Sequence, residues 1–115
     1  MGDACDKIKK FIKIEITATD ISGTVVRGDG TVFCREHVEF CGRGEFLVKK
    51  TVEIINKMIC GMGGFKTDVK RVEIKCPWVV DYAKGIVDCE ELRFDYYPLA
   101  KSVSDKVGLP VALTE

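Results

Sequence analysis

Residues 31–61 constrain the fold more than any other stretch, because they join two different hydrophobic periods through a glycine-containing loop. Residues 31–40 alternate with the two-residue period of a half-buried strand. The even positions Val32, Cys34, Glu36, Val38 and Phe40 take one side and are assigned inward. Thr31, Phe33, Arg35, His37 and Glu39 take the outward side. Cys41, Gly42, Arg43 and Gly44 then form a loop, and residues 45–60 switch to a helical period. At about 100° per residue, Val48, Val52, Ile55 and Ile59 fall within about 60° of one another. Leu47, Ile54 and Met58 widen that stripe, while Lys49, Lys50, Glu53, Asn56 and Lys57 occupy the opposite arc. Glu53 and Lys57 have the spacing of an i,i+4 ion pair. Cys60 falls among the charges, and Gly61 stands where a helix is expected to stop. Such a helix needs a sheet to cover its apolar stripe.

The flanking residues supply that sheet. Residues 7–19 place Ile8, Ile12, Ile14, Ile16 and Ala18 on one face, with Lys13, Glu15, Thr17 and Thr19 on the other. Residues 20–23 have turn chemistry, 24–27 read as a short strand, and Gly28-Asp29-Gly30 closes a hairpin into residue 31. Glu36 is a misfit on its inward side and marks either a bulge or the strand's emergence from the sheet. Residues 69–76 form a further strand with Val72, Ile74 and Cys76 inward. Pro77 is expected to open a short helix carrying Trp78, Val79 and Tyr82, closed by Gly85. Residues 88–91 have the outline of a capping box, but 92–97 alternate with strand-type aromatics and are read as a strand. Pro98 opens a last helix with Leu99, Val103 and Val107 on one face and Gly108 as its stop, and the apolar tail docks. The expected fold is α+β: one domain over residues 1–115, a mostly antiparallel sheet of about five strands, and two or three helices packed on one face.

Length and charge exclude several roles. A chain of 115 residues suits one domain with its own core. Eighteen basic and eighteen acidic residues cancel, so no global field recruits nucleic acid. No apolar run approaches the roughly 18 residues of a membrane helix, and the first residues lack a signal-peptide core. The expectation is a cytoplasmic protein with neither a nucleic-acid nor a membrane partner. The absence of Gln and the single Asn56 resemble a heat-adapted composition, although six cysteines point the other way.

Chemistry concentrates in a few places. Cys34, His37 and Cys41 are closely spaced soft ligands, and Cys60 is a candidate fourth for a metal ion. Regular strand geometry opposes this, since Cys34 and His37 point to opposite faces. Gly42, Arg43 and Gly44 precede a helix N-terminus, where free amides and the helix dipole suit a small anionic ligand. The same field would favour the thiolate of Cys41, although Glu45 repels an anion and the plain reading is a flexible turn. Asp81, Asp88, Glu90, Glu91 and Asp95 read as a solvated acidic face. The outward sheet residues Lys13, Glu15, Arg35, His37, Glu39, Arg71, Glu73 and Lys75 form a mixed-charge surface, solvated or a polar interface. No complete catalytic set is present in the sequence. The leading expectation is therefore a binding or assembly module that forms a homo-oligomer. Its rivals are a cysteine/histidine metal or redox protein, and a small enzyme with Cys41 or Cys76 as nucleophile and His37 as base.

Overall fold

The computed structural model describes residues 10–40, 42–61 and 69–115, and among these it has eight strands and two α-helices. Strands β1 (Lys10–Ile16), β2 (Asp20–Arg27) and β3 (Val32–Glu39) form an antiparallel meander. Helix α1 (Glu45–Gly61) follows and leads to β4 (Val69–Lys75), which pairs parallel to β1. Strands β5 (Val79–Asp81), β6 (Ile86–Cys89) and β7 (Phe94–Pro98) make a separate small antiparallel sheet, with a 3-10 turn at Glu90–Leu92 before β7. Helix α2 (Leu99–Val107) returns the chain to β8 (Val111–Thr114), parallel to β4. The main sheet order is β3-β2-β1-β4-β8.

The expectation of a mostly antiparallel sheet is corrected: the main sheet is mixed. Its first three strands are antiparallel, and its last two enter parallel to β1 because a helix-containing crossover precedes each. Alternation along one strand carries no information about the direction of its neighbour. The tail expected to dock is the edge strand β8.

One face of the sheet is buried. Ile12, Ile14, Ile16, Ile21, Val25, Val72, Ile74 and Leu113 pack in one cluster with Leu47, Val48, Ile55, Met58 and Ile59 of α1 and Leu99, Val103 and Val107 of α2. Thr51 is buried in the α1 stripe, and its hydroxyl donates to the Leu47 carbonyl at 2.9 Å. This satisfies the one polar side chain that the stripe buries. Among the described residues the opposite face carries no helix and keeps Lys13, Glu15, Arg35, His37, Arg71 and Lys75 exposed.

Other local expectations shift for identifiable reasons. The first turn covers residues 17–19, not 20–23, because the Thr17 amide donates to the Asp20 carbonyl at 2.9 Å and Ile16 pairs with Ile21. Gly23 lies inside β2, where a Cβ would stand 2.6 Å from Met58 Cε, so helix α1 needs that gap. Glu36 is no bulge: its carboxylate meets Lys57 Nζ at 3.3 Å, while Glu53 pairs with Lys50 instead. The bulge lies at Phe33, since Val25 pairs with Cys34 but Val26 pairs with Val32. Pro77 opens no helix. Residues 79–89 form the β5–β6 hairpin, which pairs with β7.

Candidate functional site at the carboxyl ends of the parallel strands

Open sheets with parallel strands bind ligands outside the carboxyl ends of those strands, where the connections diverge. Here β1, β4 and β8 end side by side at Ile16, Lys75 and Thr114. Two adjoining recesses open toward this end, one on the uncovered face of the sheet and one beyond the strand ends. The first, about 590 Å³, is polar and is formed by Lys13, Glu15, Ser22, Thr24, Glu73, Lys75 and Thr114, with Glu115 at its rim. The second, about 520 Å³, is more apolar and is formed by Ile16, Thr17, Cys76, Pro77 and Tyr82. Glu15, Lys75, Thr114 and Glu115 border both.

Strand parity explains the first recess. Ile12, Ile14 and Ile16 are drawn into the core, so Lys13 and Glu15 must project from the other face. The same rule turns Glu73 and Lys75 outward between Val72, Ile74 and Cys76. Lys75 Nζ lies 3.8 Å from Glu15 across the β1–β4 seam. Arg71 meets Glu73 at 2.9 Å and stacks over the Phe11 ring at 5.3 Å. Ser22, Thr24 and Thr114 add hydroxyls that both donate and accept.

The β1–β2 turn forms one wall and is held by its own polar groups. The Thr17 hydroxyl donates to the Asp20 carboxylate and accepts from the Asp20 amide at 3.1 Å. His37 Nε2 lies 3.2 Å from the other Asp20 oxygen. The Thr17 hydrogen bond, then that of His37, holds the Asp20 carboxyl below its ordinary pKa. On the far wall Tyr82 is 43% exposed at the tip of the β5–β6 hairpin.

The residues singled out from sequence are not gathered in these recesses. Cys34 lies half-buried on the helix side of β3, whereas His37 is exposed on the opposite side and engages Asp20. Cys60 is exposed at the end of α1, and Cys41 lies outside the described residues. Among the described residues no three metal-capable side chains converge. Cys76 is buried, and burial pushes its thiol above the ordinary value, which disfavours a nucleophilic thiolate. In the helix-preceding loop the Gly44 amide donates to the Leu92 carbonyl at 2.7 Å, so it is not free for an anion. Arg43 is exposed and Gly42 half-buried. Glu45 accepts from the Tyr97 hydroxyl, which ties the loop to β7. Sequence reasoning placed Lys13, Glu15 and Lys75 on a solvated face but missed that three parallel strands end there. The missing signal was strand direction.

No protein-family model matches the chain, and neither does any curated protein. Solved structures do. A ROK family transcriptional regulator, a homolog of the E. coli MLC protein, superposes with a TM-score of 0.82 at 14% identity, over 95% of this chain and 28% of that one. The ROK hexokinase from Thermus thermophilus gives 0.75 at 17% identity, over 91% and 34%. A ROK family glucokinase from Streptomyces griseus, solved with glucose and AMPPNP, gives 0.72 at 25% identity, over 92% and 33%. The chain thus shares a fold with ROK proteins and spans about a third of their length.

Proposed function

We propose that this chain is a ligand-binding domain of ROK-type fold that takes a small polyhydroxylated ligand of the sugar class in the paired recesses. The observation that carries the reading is that a polar recess on the uncovered sheet face adjoins an apolar recess at the carboxyl ends of β1, β4 and β8. Lysines, carboxylates and hydroxyls alternate around the first recess, an arrangement that donates to and accepts from a ring of hydroxyls. Tyr82 and Pro77 supply the apolar surface on which a sugar's C–H face rests. Lys13 and Lys75 are countered by Glu15, Glu73 and Glu115, so the lining favours a neutral sugar over a polyanion. The Streptomyces glucokinase of the same fold was solved with glucose, which supports the same ligand class here.

Backbone amide NMR under titration with neutral hexoses, with AMPPNP as a comparison arm, tests the reading. Hexose is expected to move the amides of residues 13–19 and 75–76, and Glu15→Gln is expected to weaken that response. Unmoved amides at saturating hexose, or a response confined to AMPPNP, would overturn it.

A further inference from the structure

The middle of the uncovered sheet face is a checkerboard of charge. Lys13 is in register with Glu73 across the β1–β4 seam, and Glu15 with Lys75. The sign also reverses along each strand, from Lys13 to Glu15 and from Glu73 to Lys75. Glu73 is held by Arg71 at 2.9 Å with its side chain 18% exposed, but the other three charges are only partly used within one copy. The Glu15–Lys75 contact is 3.8 Å with both side chains more than half exposed. Lys13 is exposed and makes no ion pair among the described residues.

Such a pattern is complementary to itself about more than one twofold axis, and the exposure of its charges favours one of them. Consider an axis running across the strands, midway between the Lys13–Glu73 row and the Glu15–Lys75 row. Each strand then crosses its own counterpart running the other way. Lys13 faces Glu15 of the second copy, Glu73 faces Lys75 of the second copy, and symmetry makes each contact twice. The next column agrees, because Thr24 and Ser22 flank Lys13 and Glu15 on β2 and so face each other as hydroxyls. An axis along β1 itself sets Lys13 against Lys13 and Glu15 against Glu15. One along the β1–β4 seam turns Lys13 toward Glu73, which Arg71 already holds at 2.9 Å, and away from the exposed Glu15. Stacked sheets lie about 10 Å apart, a gap that a lysine and a glutamate close when they reach from opposite sides.

We propose that the chain self-associates through this face as an antiparallel face-to-face dimer, held by two symmetric Lys13–Glu15 contacts between copies. The dimer covers the polar recess, so dimer and ligand are alternative states of one surface. The proposal does not rest on the sugar reading, and its test uses ligand-free protein.

Sedimentation velocity on the full chain at low and high salt provides that test. A concentration-dependent dimer is expected at low salt, weakened at high salt because solvent-exposed charges are screened. Lys13→Glu sets like charges against each other twice and should raise the dissociation constant by about tenfold or more. Glu15→Lys should do the same, and it carries the reading alone if circular dichroism shows Lys13→Glu misfolded. The double variant with both changes should restore the dimer, while Glu53→Lys on the far arc of α1 should leave it unchanged. A monomer at low salt across the concentration range would overturn the proposal. So would a dimer indifferent to either single charge reversal, or a double variant that fails to recover.

Discussion

Thr17 shows how much one hydroxyl can organise. It caps the β1–β2 turn, bonds the Asp20 carboxylate and accepts from the amide of the same residue. Asp20 therefore has a folded-state pKa below its unfolded one. The stability linked to that difference is present above the unfolded pKa and is lost as pH falls through the folded pKa. Thr17→Val should return the Asp20 carboxyl toward its ordinary value, read by carboxyl-carbon NMR titration, and so shrink that acid-side loss. Tyr97 plays the matching part at the other end of the molecule. Its hydroxyl donates to Glu45 at the start of α1 and lies 2.8 Å from Ser102 of α2. Burial, then the Glu45 bond, pushes its phenol pKa up. Tyr97→Phe should lower unfolding stability by about 1 kcal/mol in urea, because neighbouring water re-satisfies the exposed Glu45. None of these pairings was legible in sequence. Tyr97 and Glu45 are far apart along the chain, and only the register of β7 against α1 brings them together.

At the scale of elements, periodicity did most of the work where one element has one buried face. Helix α1 begins at the expected Glu45 and ends one residue beyond expectation, because its aliphatic stripe fixes both its period and its length. The last helix stops at Gly108, whose amide donates to the Ser104 carbonyl at 2.8 Å. The failure at Pro77 is equally instructive. Trp78, Val79 and Tyr82 fit a helical face, yet residues 79–81 pair with β6, so tertiary pairing overrode local pattern. Gly85 marks that hairpin's contact with α2. Its φ is +69°, and a Cβ there would stand 2.4 Å from Ala100 Cβ. Gly85→Ala adds left-handed strain to a collision with helix-borne atoms and should cost about 2 kcal/mol or more. Gly23→Ala should cost less, roughly 1 kcal/mol, because the atoms it meets belong to the flexible Met58 and the end of Ile14. Urea melts of the two variants check that order.

At the scale of the whole molecule, alternation gave the α+β class and the one-sided helices, while it could not give strand direction. The pairing of the two recesses depends on direction, so it was hidden, although Lys13, Glu15, Glu73 and Lys75 had been placed on the outward side of their strands. A bound hexose should stabilise the fold by mass action, by about 2.7 kcal/mol at a hundredfold excess over its dissociation constant. The corresponding rise in thermal midpoint should shrink with Glu15→Gln. Strand β1 has a further consequence. Among the described residues it is the only strand with an antiparallel neighbour on one side and a parallel neighbour on the other. The meander closes between sequence neighbours, whereas the β4–β8 half must close long loops before its contacts form. β1 is thus the seam between a fast-forming and a slow-forming half, and its amides are released only when both let go. Native-state hydrogen exchange should find residues 12–14 opening at the global unfolding free energy, with the edge strands β3 and β8 opening well below it.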